Sequence, residues 1–546
     1  MANESPNTHM QVDAVIVGAG IAGMYAIHRL TQMGLSVCAF ERGDGVGGTW
    51  YWNRYPGARC DVESLEYCYS FSEELVQEWS WKDRYADQSE ILSYLDHVAD
   101  RFDLRRHIQF ETEIESAVYN DETALWTLTT NQGTSVSARY CVMATGNLSK
   151  PQFPAVPGLE RFKGALHHTG AWPKDGLDFT GKRVVQIGTG ATGIQVAPRI
   201  APQAEALIVL QRTANFSIPA GQRPLPDEAQ QEFRASFPVK LDLALNAASG
   251  MAYVPVPEQS ALDVTEEERN RIYEERWQNG GSFAFSSSFN DILTDFEANQ
   301  TAANFVRGKI RSIVKDPETA EALCPKDHPY ATKRVCVDSG YYATFNRDNV
   351  TLVDLNVEKL LEFTENGFRT SKKEYEVDAA VFATGFDAIT GAVLEMDVRG
   401  KGGLSLRDAW NDAPTAYLGL QAAGFPNLFF VTGPGSPSVK ANMFKAIEQH
   451  VDWIADCIRD MREQGIVSIE ADASAEAEWV AHVKDLADST LYPLAKSWWT
   501  GANVPGKPRH FMIYIGGFST YRQLCFDVAE NGYKGFHLEK EPEVCT

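Results

Sequence analysis

Nowhere in the chain do two cysteines stand three positions apart, and its nine cysteines are scattered from Cys38 to Cys545. That absence excludes a C-x-x-C redox motif and a zinc site built on such pairs. It points to a reduced, cytoplasmic protein with no structural metal and no disulfide framework. Apolar runs of about 18 residues are missing too, so no membrane span is expected. The opening MANESPNTHMQ lacks a basic stretch followed by an apolar one, and no secretory signal is expected there. Basic charge is scarce: 50 Lys and Arg stand against 73 Asp and Glu, a net charge of -23. Such a chain repels nucleic-acid backbones and anionic lipid, so neither is an expected partner, and any anion it binds must be held by local basic groups.

What is present is ordinary in amount and specific in order. The 546 residues are 44% hydrophobic and 23% charged, with 12 Trp, 20 Tyr and 28 Phe. That length suggests about two to four domains. AVIVG (14–18) reads as a buried parallel strand running into Gly18-Ala19-Gly20-Ile21-Ala22-Gly23. A helical pattern follows to a C-cap at Gly34, then the strand SVCAFE (36–41) ends in Glu41. Strand, glycine turn, helix, strand and terminal acid make a dinucleotide site. Gly18, Gly20 and Gly23 let backbone approach a pyrophosphate, and Glu41 is placed to accept from a ribose 2′-hydroxyl.

The pattern recurs. RVVQIG (183–188) enters a turn with Gly188, Gly190 and Gly193, then a helix, then ALIVLQR ending at Arg212 beside Thr213. Where the first unit has an acid, the second has a guanidinium, which can grip a 2′-phosphate with two hydrogen bonds. An ordinary surface arginine is the competing reading. The first site therefore suits an adenine dinucleotide with a free ribose, and the second NADP. Together they suggest an oxidoreductase passing a hydride from NADPH to FAD. VMATGN (142–147) and VFATGFD (381–387) both break from an apolar strand into Ala-Thr-Gly, as expected where chain crosses between two nucleotide domains. Singly, each is a strand followed by a turn.

Between the two units lies FKGALHHTGAWP (162–173). Its Phe162, Gly164, His168 and Trp172 match F-x-G-x-x-x-H-x-x-x-W. With both glycine motifs flanking it in order, the chain resembles the type I Baeyer–Villiger monooxygenases, class B flavoprotein monooxygenases, over essentially its whole length. GPGSPSVKANM (433–443) and SWWTGANVPGKPR (497–509) look like the phenylacetone monooxygenase branch. The resemblance implies FAD and NADPH as cofactors and a ketone and O2 as substrates. A peroxide anion on the flavin C4a carbon would attack the carbonyl to give an ester or lactone, with sulfoxidation as a side activity.

The resemblance also implies residue roles. Arg334 is the active-site arginine beside the flavin and Asp61 its carboxylate. Lys333 faces the 2′-phosphate together with Arg212. Gly48, Thr49 and Trp50 belong to a flavin-contacting loop, Trp498 to a mobile loop closing on NADP, and His168 to a linker that couples domain movement to cofactor position. Read without the resemblance, Asp61 could cap a helix or sit in a turn, Lys333-Arg334 could be a solvated basic pair, and His168 and Trp172 could pack a connector. Val439, Lys440 and Phe444 are expected to line the substrate pocket, and His167 to have no role.

The expected fold is α/β, with two Rossmann-like domains and a helical subdomain inserted in the second. Residues 1–144 and 386–546 are assigned to the FAD domain, 145–218 and 331–385 to the NADP domain, and 219–330 to the helical subdomain, where VTEEERNRIYEERW (264–277) and ANFVRGKIRSIVKDPETAEALC (303–324) are charged and helically periodic. A monomer is expected. One rival is a flavin monooxygenase that oxygenates nitrogen or sulfur, sharing both glycine motifs. Another is a flavin disulfide reductase, opposed by the spacing of Cys60 and Cys68. A third is a non-catalytic redox sensor, for which two cofactor sites would lack purpose.

Overall fold

The computed structural model describes residues 9–540. Two sheets with parallel centres organise the chain. In the first, His9–Val17 lies between Val37–Phe40 and Ser135–Met143, parallel to both, and Ile108–Gln109 extends the Val37 side. On the other side the chain doubles back through Leu125–Thr130 and Ile114–Asn120, with Asp397–Arg399 at the edge. Leu428–Phe430 takes over pairing with residues 141–143. Two late strands thus return to a sheet begun at the N-terminus. Ala14, Val15 and Ile16 are fully buried, as an apolar run covered on both faces requires. The helices Ile21–Gln32 and Met443–Gln464 pack together on one face.

The second sheet is all parallel, in the order Val350–Asp354, Ala206–Gln211, Arg183–Ile187, Ala379–Phe382, Ala165–His168. The fold is therefore α/β with two Rossmann-like units. A three-stranded antiparallel flap, Leu360–Thr364, Gly367–Thr370 and Glu374–Glu376, interrupts the second unit; the sequence reading does not contain it.

Six helices lie between Asp227 and Leu323. Thr265 starts Glu266–Asn279 by accepting from the Glu268 N–H at 3.2 Å. The periodic stretch 303–324 is not one helix but the end of Phe296–Ile313 followed by Pro317–Leu323. Asp316 restarts it by accepting from the Thr319 N–H at 2.8 Å, and Pro317 supplies a first helical residue that needs no donor. Tyr273, Trp277, Phe285 and Phe289 share a core with the second sheet. Where this segment begins and ends, Ser217–Pro219 pairs in parallel with Cys336–Asp338, so residues 333 and 334 enter the structure at a fixed place. The eight described cysteines are free and buried, and Cys545 lies outside the described residues. Among the described residues no helix is long and apolar enough to cross a membrane.

Candidate active site

A cavity of about 980 Å³ touches both glycine turns. Gly18 and Gly20 line it at one end, Gly188 and Gly190 at the other, and the helices that follow begin at its wall with their first N–H groups unpaired. The two Ala-Thr-Gly breaks explain themselves here. Each ends the strand beside a glycine turn, and its alanine carbonyl lies against the first glycine of that turn. A Cβ on Gly18 would stand 2.5 Å from the Ala144 oxygen, and one on Gly188 would stand 2.3 Å from the Ala383 oxygen. The turns differ in cover. Gly47 donates its N–H to the Ala19 carbonyl at 3.1 Å, and a Cβ on Gly20 would meet the Gly48 Cα at 3.3 Å, so residues 47–50 roof the first turn. Beside Gly190 there is open space. One enclosed and one open backbone cradle fit a dinucleotide that stays and one that exchanges.

Glu41, Thr49 and Trp50 line the same end. Both Glu41 oxygens already serve the loops: one accepts from the Ala19 N–H at 2.9 Å, the other from the Gly43 N–H at 2.8 Å. Each keeps a second lone pair for a ribose hydroxyl. Trp50 donates its indole N–H to the Tyr67 hydroxyl at 3.1 Å, which fixes a flat apolar wall. At the other end Arg212 is exposed and, among the described residues, paired with no carboxylate; Thr213 fixes the turn by accepting from the Thr189 hydroxyl at 2.7 Å through its carbonyl. Gln186, buried and unremarked in the sequence reading, donates its amide to the Gly188 and Gly193 carbonyls at 3.0 and 3.1 Å and stiffens that turn.

Between the two ends the chain brings together residues 273 positions apart. Arg334 Nε donates to Asp61 Oδ2 at 3.1 Å, and its Nη1 donates to the Val439 carbonyl at 2.8 Å. The guanidinium lies 4.8 Å over the Phe283 ring. Both Arg334 and Asp61 line the cavity. Burial works against the charge on Arg334, but Asp61 outweighs it and holds the guanidinium above its ordinary range, so it stays cationic. Lys333, on the cavity wall, goes the other way: burial, helped by the like charge of Arg212, lowers it against Asp327, whose carboxylate lies 3.8 Å off. Asp327, absent from the sequence reading, also meets His328 Nδ1 at 2.7 Å.

Trp498 lines the cavity from the short turn Trp498–Thr500. Its segment is tied to the second Ala-Thr-Gly break: Asn503 donates to the Phe386 carbonyl at 2.7 Å, and Lys507 pairs with Asp387 at 2.5 Å. The fingerprint residues sit elsewhere. Phe162 packs on Phe363 and Trp172 on Phe179, both in the core, and Gly164 leaves room for the Phe162 ring and the Asp378 carbonyl. His168 is one layer behind the cavity, between the rings of Phe153 and Phe386, accepting from the Gly170 N–H at 3.0 Å. His167, expected to be a bystander, lies against the Trp172 ring. Phe444 needs correction: it is fully buried between Tyr67 and Tyr69 and does not line the cavity, because the helix it begins turns it into the core. Lys440 lies over the rings of Tyr492 and Trp499, whereas Val439 does line the cavity.

Burial holds His168 and His28 down to about 4 and His450 to about 3. All three are neutral in the fold and protonate near 6.5 when unfolded, so the unfolded chain binds more protons below that pH. Stability is expected to drop from pH 6.5 to 5, by up to about 1.4 kcal/mol per pH unit for each histidine. Thermal midpoints at pH 7 and 5 check this, and equal values contradict it.

Two dinucleotide turns facing one cavity, with a guanidinium–carboxylate pair between them, define a flavin- and nicotinamide-dependent oxygenase. Residues 11–220 match the family described as FMO-like, flavin-binding monooxygenase-like. A Baeyer–Villiger monooxygenase of Pseudooceanicola batsensis is 44% identical, with 97% of each chain covered. The phenazine N-monooxygenase PhzNO1 of Lysobacter antibioticus is 44% identical over 99% of each. Among solved structures, an oxidised steroid monooxygenase bound to NADP superposes with a TM-score of 0.93 at 52% identity, covering 97% of this chain and 100% of that one. The chain belongs to the Baeyer–Villiger monooxygenase family.

Proposed function

We propose that the protein oxidises a ketone to an ester or lactone, with NADPH, O2 and a proton consumed and NADP+ and water released. The observation that carries this is the partly buried Arg334–Asp61 pair at the wall shared by both nucleotide turns. FAD, when bound, would supply the acceptor for the NADPH hydride and the centre for dioxygen activation. The chain's own groups do the rest. Arg334 offers a permanent cation where negative charge develops on oxygen, including the carbonyl oxygen of the ketone under attack. Arginine suits this better than lysine because burial does not cost it its proton. Asp61 aims the guanidinium and stops it from binding anions too tightly.

In this reading Gly18, Gly20, Gly23, Glu41, Gly48, Thr49 and Trp50 hold FAD, and Gly188, Gly190, Gly193, Arg212, Thr213 and Lys333 hold NADP. Trp498 and its segment exclude water from the reacting centre. The FAD-binding parts are 1–144 and 386–546, and the NADP-binding parts 145–218 and 331–385. The helices of 219–330 place the Phe283 ring against the Arg334 guanidinium.

Nitrogen oxygenation is the second reading, favoured by the phenazine N-monooxygenase relative, and it would use the same cofactors. Yellow protein given NADPH and O2 with a panel of ketones, thioethers and N-heterocycles separates them. Esters identified by mass support the first, and N-oxides without esters sink it. Arg212→Ala is expected to raise the KM for NADPH about tenfold or more and that for NADH less than twofold, since only the former carries the phosphate; equal effects would count against the phosphate role.

A further inference from the structure

Five non-glycine residues between 389 and 438 have left-handed backbone: Ile389, Leu418, Asn427, Thr432 and Ser438, with φ from 45° to 69°. Side chains with a Cβ avoid this region, so such turns persist only where the surroundings over-determine them. Three of the five meet at one residue, two of them at its side chain. Asn147, largely buried on the cavity wall directly after the first Ala-Thr-Gly break, accepts from the Ile389 N–H at 2.9 Å through its backbone carbonyl. Its Oδ1 accepts from the Thr432 hydroxyl at 3.3 Å, and its Nδ2 donates to the Ser438 hydroxyl at 2.6 Å. Asn147 thus ties together three left-handed turns, Ile389 through its backbone carbonyl and Thr432 and Ser438 through its side-chain amide.

The consequence falls on the active site. The residue after Ser438 is Val439, whose carbonyl accepts from Arg334 Nη1 at 2.8 Å. That oxygen and Asp61 are the two anchors of the guanidinium. The direction of the Val439 carbonyl is set by the Ser438 backbone, with φ at 45°. Thr432 is pinned from behind. Its N–H donates to Nδ1 of the fully buried His450 at 2.9 Å, and the other ring nitrogen of His450 lies 2.8 Å from the Tyr521 hydroxyl. With Nδ1 accepting, the Nε2 nitrogen carries the proton and donates to Tyr521. The amide is thus held between one rigid turn and one turn that aims Arg334.

We infer that Asn147 is a positioning residue for Arg334: it holds the Ser438 turn left-handed so that the Val439 carbonyl fixes the second edge of the guanidinium. The inference rests on the role proposed above for Arg334. It needs no contact between Asn147 and substrate. A residue that only stabilises the fold would lower activity through lost protein or lost flavin; this one acts on the fraction of NADPH that ends in ester.

The test uses the FAD-loaded full chain with a ketone the parent oxidises, measuring ester and hydrogen peroxide per NADPH consumed. Asn147→Ala is expected to lower ester per NADPH about tenfold or more, with peroxide rising to match and flavin content retained. Adding Ser438→Gly should restore at least about a third of the loss, because glycine takes the left-handed turn without being held. A drop that glycine does not repair, or no drop, overturns the inference. Should Asn147→Ala yield no flavin-loaded protein, single variants at 438 decide. Ser438→Ala, which loses the hydroxyl and keeps the strain, should cost about fivefold more ester per NADPH than Ser438→Gly. Equal costs overturn the inference. Arg334→Lys run alongside separates the two failures: undiminished ester there removes the role of Arg334 and this inference with it, whereas loss there with an unaffected Asn147→Ala removes the inference alone.

Discussion

Arg334→Ala is expected to leave FAD bound and to reduce ester formation about a thousandfold, with NADPH oxidation continuing and hydrogen peroxide replacing the ester. Removing one preorganised donor from a site of developing negative charge costs two to three orders of magnitude, on the order of 100- to 1000-fold. The upper end applies here because of what remains. Asp61, whose side chain is only 11% exposed, loses the one cationic partner it has among the described residues and becomes an uncompensated carboxylate at the same wall. The variant therefore replaces attraction by repulsion. FAD should be spared, since the first glycine turn and its roof take their hydrogen bonds from Glu41, Ala19 and Gly47, none of which touches Arg334. Ester and peroxide counted per NADPH check the prediction, and ester yield within tenfold of the parent would refute the assignment. Asp61→Asn added to Arg334→Ala should recover stability without recovering ester, because it removes the stranded charge and supplies no cation.

The parts legible in the sequence are those whose physics is local. A glycine turn between an apolar strand and a helix is written within about 25 residues, and Gly18 to Glu41 and Gly188 to Arg212 are found in place on that logic. The Arg334–Asp61 pair spans 273 positions, and no pattern of charges near either residue joins them. It was readable only through family resemblance. Asn147 and Gln186 belong to a third kind. Gln186 is an unremarkable amide within a strand and Asn147 one in the bend after a strand, and the importance of each comes from which backbone carbonyls and left-handed turns the tertiary fold brings to it. A signal for Asn147 did exist, in its place directly after Ala-Thr-Gly. Phe444 shows the converse error: a family-variable stretch suggests pocket lining, but Asn442 caps a helix at Phe444 by accepting from its N–H at 3.1 Å, and helical spacing then turns that ring inward. The flap at 360–376 leaves little mark in the sequence, because short two-residue-period strands carry little signal beside the helical runs before them.

Gly23→Ala and Gly193→Ala are expected to part the two cofactors cleanly. Neither glycine lines the cavity; each sits in the first turn of the helix that leaves it. A Cβ on Gly23 would lie 1.9 Å from the Gly18 carbonyl oxygen, and one on Gly193 would lie 2.2 Å from that of Gly188. These are backbone atoms, so relief requires the helix to move off its turn by more than about an ångström, and displacement of that size in a positioning element costs on the order of a hundredfold. At the first site the turn, its roof and the helix N-terminus shift together, and Gly23→Ala should purify colourless, with FAD affinity reduced about a hundredfold or more. At the second site the space beside Gly190 is open among the described residues, and the flavin end is untouched. Gly193→Ala should therefore stay yellow and remain reducible by dithionite, while reduction by NADPH at a fixed concentration slows about a hundredfold. Absorbance of the purified variants and anaerobic stopped-flow reduction distinguish the cases. If Gly193→Ala lost its flavin, or Gly23→Ala kept it and failed only with NADPH, the assignment of the two turns would be reversed.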